Sequence, residues 1–169
     1  FTVSKESLTH DFGLISEAGE WRISSPPDGV LLSSYIFARS YSSVRSYFIA
    51  RSGQRVVPEL LHLPTSEITS GRIVEAQMAG PGTFLSSGVR NAIPEGTKLG
   101  TAGTVVDSSG VVTVALEGVP QSLSELERRE LGAQLLWSLS SIPKISGLHL
   151  TVDGKTYSLP GQNDKQVLE

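Results

Sequence analysis

Catalysis by general acid–base or nucleophilic chemistry needs a positioned base, and this chain has only three imidazoles: His10, His62 and His149. His62 and His149 sit beside leucines in segments that read as strands, and His10 lies near the N-terminus. Each reads as a strand or hairpin side chain, and no Gly-x-Ser-x-Gly elbow accompanies them. No His-x-x-x-His pair and no calcium-loop spacing of carboxylates occurs. The absence of cysteine removes thiolate catalysis, disulfides and Cys-rich zinc sites together. Glu59, Glu67, Glu75 and Glu95 could in principle meet as a glycosidase pair, but scattered acids are by default a solvated surface. Asp107 and Asp153 read as turn residues. Gly80-Pro81-Gly82 and Gly100-Thr101-Ala102-Gly103 match neither a P-loop nor a dinucleotide fingerprint, and read as structural turns. The expectation is a non-enzyme, with no catalytic, cofactor-binding or metal-binding residues and no cofactor.

Composition narrows the partners. The 169 residues carry 14 Lys and Arg against 17 Asp and Glu, a formal net charge of −3. The cations form no dense run, so the electrostatic stripe that a nucleic-acid binder needs is missing. Apolar runs such as Val30-Leu31-Leu32 are too short to cross a bilayer. The chain begins at Phe1 without a visible signal peptide, which reads as a trimmed or processed fragment.

The elements that would position any site follow from periodicity and punctuation. Phe1 to Ile23 reads as a hairpin turning at Glu17-Ala18-Gly19. The breaker cluster Ser24-Ser25-Pro26-Pro27-Asp28-Gly29 marks a boundary or elbow, followed by an extended connection over Val30 to Tyr41. Ser43 to Ile49 and Arg55 to Leu63 form a strand pair, and Pro58 makes the second an edge strand or a bulged one. A first helix begins near Pro64, with Thr65 or Ser66 as cap, and ends at Gly80-Pro81-Gly82. After a loop from Thr83 to Pro94, Gly103 to Val106 and Val111 to Leu116 form a second hairpin. Leu123 to Ile142 is the second helix, with a capping box at Ser122 and Glu125. Gly147 to Val152 and Lys155 to Leu159 pair about Asp153-Gly154. The expected fold class is α+β, a mixed β-sheet with two helices packed on one face in the order β-β-α-β-β-α-β-β, preceded by the N-terminal hairpin.

Four stretches carry a family resemblance: Val44 to Ile49 with Val56-Val57-Pro58; Met78-Ala79-Gly80-Pro81; Val89-Arg90-Asn91-Ala92-Ile93-Pro94-Glu95-Gly96-Thr97; and Gln134 to Leu139 followed by Val152-Asp153-Gly154. Together they resemble the GerMN (Germane) domain of sporulation, germination and envelope proteins. Gln77 stands where that family usually has leucine, and Gly71 interrupts the first helix. Gly19 to Ile23 and Pro26 to Val30 resemble the approach to this domain in the LpqB family of actinobacterial lipoproteins. On this resemblance, 1–41 would be the closing hairpin of an N-terminal lipoprotein domain plus linker, 42–162 the GerMN domain, and 163–169 a polar tail or linker.

The resemblance supplies structural motif residues: Gly80, Pro81, Arg90, Ile93, Pro94, Gly96, Trp137, Asp153 and Gly154, with Trp137 expected to fill the core between helix and sheet. It implies an extracytoplasmic protein-interaction module, membrane-bound only through a lipid anchor outside this stretch. The implied partner is a protein, with a sensor histidine kinase ectodomain as the candidate, and not nucleic acid; the oligomeric state stays open. A cell-wall carbohydrate or peptidoglycan binder is the second reading, with Tyr35, Phe37 or Tyr157 as its aromatic platform. The bland use of Trp21, Tyr35, Phe37 and Tyr41 is to pack the junction they flank.

Overall fold

The computed structural model describes residues 11–25, 32–53 and 55–169, so His10, the strand expected at Phe1 and the Pro-Pro elbow lie outside the described residues. The chain divides into two units, the first ending at Ser40 and the second running from Tyr41 to Glu169.

In the first unit, β1 (Leu14–Glu17) and β2 (Glu20–Ile23) form an antiparallel hairpin with Leu14 opposite Ile23 and Ser16 opposite Trp21. Ala18 and Gly19 both take positive φ at the turn, the two-residue geometry that suits the twist of a hairpin. The extended connection expected after it is instead a helix over its later part, α1 (Ser34–Ser40). Local capping decides this: the Ser33 hydroxyl accepts from the Ile36 N–H, which outweighs the strand preference of Tyr35, Ile36 and Phe37.

The second unit contains the expected strands and helices, with one strand more, in the stretch from Thr83 to Pro94 expected as a loop. β3 (Tyr41–Ala50) pairs antiparallel with β4 (Val56–Pro64), and a short β5 (Val89–Arg90) adds to the other edge of β3 at Ile49 and Ala50. A second sheet runs in the order β6 (Lys98–Val106), β7 (Val111–Glu117), β8 (Gly147–Val152), β9 (Lys155–Thr156). Helix α2 (Ser70–Met78) connects β4 to β5 within the first sheet, and α3 (Glu125–Leu139) crosses over between the parallel neighbours β7 and β8. The architecture is mixed α+β, with its strands divided between two sheets rather than gathered in one.

Register builds the core. Val112, Val114 and Leu116 stand beside Leu148, Leu150 and Val152, so six buried side chains share one face of the second sheet. Ile73 and Val74 of α2 and Leu131, Leu135 and Leu139 of α3, all fully buried, cover that face.

Helix boundaries moved for identifiable reasons. Thr65–Glu67 forms a single 3₁₀ turn, and Thr69, not Thr65 or Ser66, caps α2 by accepting from the Arg72 N–H. The capping box of α3 is Ser124 with Glu127, two residues after the expected pair of identical spacing. Leu123, just before that cap, packs against the core, which starts the helix after it. The second hairpin's first strand begins earlier than expected, at Lys98, because Gly100 to Gly103 lies in a bulge between the paired residues Leu99 and Thr104. In the C-terminal stretch Leu168 and Leu148 exchange backbone hydrogen bonds of 2.8 and 2.9 Å, and Val167 is buried.

Candidate functional site

The unpaired part of β3 shows what the two helices do for the first sheet. Tyr47 sits opposite Pro58 at a position of the antiparallel ladder where both residues turn their backbone groups away from each other, so the Tyr47 N–H and carbonyl face the helices. The Tyr47 N–H donates to Ser138 Oγ at 2.8 Å, and Gln77 Nε2 donates to the Tyr47 carbonyl at 3.2 Å. Gln77 Nε2 also reaches Ser138 Oγ and the Gln134 carbonyl. Gln77, Gln134 and Ser138 are all completely buried.

The same network seats the Arg-Asn-Ala-Ile-Pro loop. Gln134 Oε1 accepts from the Ala92 N–H and Gln134 Nε2 donates to Asn91 Oδ1, while Asn91 Nδ2 donates to the Gln77 carbonyl. Arg90, beside Ile49 in the sheet, places its guanidinium on Glu130 of α3. Ile93 enters the core, Thr97 N–H closes a turn onto the Pro94 carbonyl, and Gly96 supplies the positive φ of that turn. The conformation Gly80 adopts, φ +87°, ends α2 with its N–H on the Gln77 carbonyl, and Pro81 follows. Asp153 and Gly154 both have positive φ between β8 and β9, and Asp153 Oδ1 accepts from the Gly118 N–H.

Trp137 departs from its expected place. It is 54% exposed, because it lies two residues from both Leu135 and Leu139 and points to the opposite side of α3. Its ring meets that of Tyr47 at 5.7 Å, tilted by 52°. With Leu126, also exposed, and Ala133 it forms one wall of an open groove of about 330 Å³. Ile49 and Val56 at the end of the β3–β4 hairpin form the other wall, with Arg55 and Arg129 on its rim. Glu130 lines it too; its side chain is 6% exposed, one oxygen holds Arg90, and Oε2 has no hydrogen-bond partner.

The other chemistry candidates are spent structurally. Glu67 and Glu75 both bind Arg72, and Glu59 accepts from the Gly82 N–H; Glu95 is solvent-exposed. Asp107 accepts from Ser109 and from the Val111 N–H, and these bonds, led by the Ser109 hydroxyl, hold its carboxyl below the usual 3.8. His62 and His149 lie in β4 and β8, on different sheets. Among the described residues no group of three His, Cys, Asp or Glu gathers as a metal site. Of the aromatics considered as a glycan platform, Tyr35 is exposed, Phe37 half-buried, and Tyr157 belongs to the core, where burial raises its phenol pKa. A larger open cavity of about 730 Å³ lies where the N-terminus of α2, the β6–β7 turn and the α3–β8 connection meet.

Sequence reasoning missed Gln77, Asn91, Gln134 and Ser138 as a connected group. The available signal was Gln134 and Ser138 recurring with Leu131, Leu135 and Leu139 on one helical face, and Gln77 recurring with Ile73 and Val74 on another.

Comparison with known proteins agrees with this architecture. The family described as "Sporulation and spore germination" (Germane) matches residues 45–158, and "Lipoprotein LpqB, N-terminal domain" matches residues 1–38. Proteins named Lipoprotein LpqB are similar over nearly the whole chain: 39% identical in Cutibacterium acnes, covering 98% of this chain, and 35% in Thermobifida fusca, covering 94%. The chain spans 28% and 26% of the lengths of those two proteins. Among solved structures, the first GerMN domain of the Bacillus subtilis sporulation protein GerM is similar with a TM-score of 0.56 at 20% identity. That likeness covers 70% of this chain and 89% of the GerM domain, and it concerns the fold. No described helix is long and apolar enough to cross a membrane.

Proposed function

The chain belongs to the Germane family of sporulation and spore germination domains, and on that footing we propose that it is a non-enzymatic protein-interaction module of an extracytoplasmic, lipid-anchored envelope protein. Residues 42–162 serve as its GerMN domain and 1–41 as the end of a preceding lipoprotein domain with its linker. The partner is a protein, and a two-component sensor kinase ectodomain is the specific candidate; through it the module modulates cell-envelope functions.

One observation carries the reading. Gln77, Asn91, Gln134 and Ser138 at the centre of the fold hold α2, α3, β3 and the Arg90 loop together, while Trp137 and Leu126 are left exposed beside the groove. Exposed aromatic anchors in a concave apolar setting are what protein interfaces use as hot spots.

The test is cross-linking capture from solubilised actinobacterial envelope with this chain as bait, followed by titration of the purified kinase ectodomain. Saturable binding at micromolar concentration is the expected result. An ectodomain that does not bind at about 100 μM, some 5 kcal/mol of free energy, would sink the kinase reading.

A further inference from the structure

We infer that the groove between α3 and the β3–β4 hairpin docks a partner segment that pairs an apolar anchor with flanking carboxylates. This rests on the interaction-module reading above and specifies its surface. Shape supplies the first part: Trp137, Leu126 and Ala133 face Ile49 and Val56 across an open cleft that nothing among the described residues fills. The cleft continues onto the outer face of β3, where Trp137 packs on Tyr47, and Leu60, opposite Arg45, is 58% exposed.

Charge supplies the second part. The whole chain is acidic at −3, yet this face is cationic. Arg55 on the rim and Arg45 on the adjoining strand face are both exposed, and neither forms an ion pair among the described residues. The two acids nearest the groove are already matched, Glu125 to Arg129 and Glu130 to Arg90. The local surplus is therefore positive, and complementarity selects an acidic partner segment.

Pro58 directs the mode of binding. Its missing N–H interrupts the free edge of β4, so the segment docks by side chains in the cleft rather than as an added strand.

The experiment uses the full 169-residue chain and three labelled short peptides with the same Trp-Leu anchor: one flanked by Asp and Glu, one by Lys, one by Ser. Fluorescence anisotropy is measured on wild type, Arg55→Glu and Trp137→Ser; both sites are exposed, and circular dichroism confirms that the variants fold. The acidic peptide is expected to bind at least about tenfold more tightly than the lysine peptide, with the difference shrinking as salt rises. Arg55→Glu should abolish that preference, and Trp137→Ser should weaken binding about thirtyfold. Equal binding of all three peptides, binding unaffected by either variant, or no binding of the acidic peptide overturns the inference. A dimer in sedimentation that Trp137→Ser dissolves overturns it too, by placing a second copy in the groove. Envelope capture with the wild type and both variants separates this failure from the broader one. A partner recovered equally by all three chains leaves the module reading standing and removes the groove, whereas no partner from any of them removes the module reading itself.

Discussion

Replacing Ser138 by alanine tests whether the buried polar network, rather than apolar packing alone, fastens the first sheet to the helices. The Ser138 hydroxyl accepts from the Tyr47 N–H and from Gln77 Nε2 and donates to the Gln134 carbonyl. Without it the Tyr47 N–H has no other acceptor, because β3 turns that edge away from β4 and β5 reaches only Ile49 and Ala50. An orphaned backbone donor costs about 1–3 kcal/mol. Gln77 keeps the Tyr47 and Gln134 carbonyls, so its lost bond adds only about 1 kcal/mol. Alanine returns about 0.5 kcal/mol through helix propensity. The expected net loss is about 2.5 kcal/mol, which at a urea slope of about 2 kcal/mol/M moves the midpoint down by roughly 1.2 M. Trp137 fluorescence in a Trp21→Phe background reports the second unit alone. Ser140→Ala is the control: its hydroxyl is exposed and bonds only the Leu136 carbonyl within the helix, so its midpoint should barely move. Hydrogen exchange locates the effect, with the Tyr47 amide expected to lose protection first. A Ser138→Ala midpoint indistinguishable from wild type, with the Tyr47 amide still protected, would refute the reasoning.

Two further outcomes are expected. Gly110 has φ +87°, and a Cβ there would stand 2.2 Å from the Lys144 carbonyl oxygen, so Gly110→Ala should cost about 3 kcal/mol in a urea melt. Gly80 has the same φ with open space around it, so Gly80→Ala should cost only about 1 kcal/mol; equal costs at the two sites would refute the steric account. In the α3 capping box, the Ser124 hydroxyl and then the Ser124 N–H hold the Glu127 carboxyl below its usual 4.5. A depressed folded pKa contributes stability that is complete above the unfolded value and is lost as pH falls through the folded one. Melting temperatures taken from about pH 7 down to about pH 3 should therefore fall less steeply for Glu127→Gln than for wild type, and parallel curves would show that the box contributes nothing pH-dependent.

Much of the architecture was legible along the chain because its signals are local. Apolar and β-branched runs marked β3, β7 and β8, Pro58 marked β4 as an edge or a bulged strand, and Asp153-Gly154 marked a tight turn. The end of α2 was legible in Gly80-Pro81 for the same reason, since a positive φ followed by proline leaves a helix no way to continue. Cap positions were less secure. Ser122/Glu125 and Ser124/Glu127 have identical spacing, and the choice between them depends on Leu123 reaching the core.

The candidate site was scarcely legible. A stripe of Leu126, Ala133 and Trp137 has the same helical period as one of Leu131, Leu135 and Leu139, and periodicity does not say which of two apolar faces is covered. Only the tertiary structure decides that, by laying the second sheet against the leucines and leaving the tryptophan beside the β3–β4 hairpin. The division of the strands between two sheets, the docking of residues 163–169 and the joining of Gln77, Asn91, Gln134 and Ser138 were decided in the same way. The sequence alone determined which residues could be buried, turned or capped, because those preferences belong to single residues and their neighbours. Partners separated by 91 positions, such as Tyr47 and Ser138, are brought together by the packing of whole elements, and no local preference encodes that meeting.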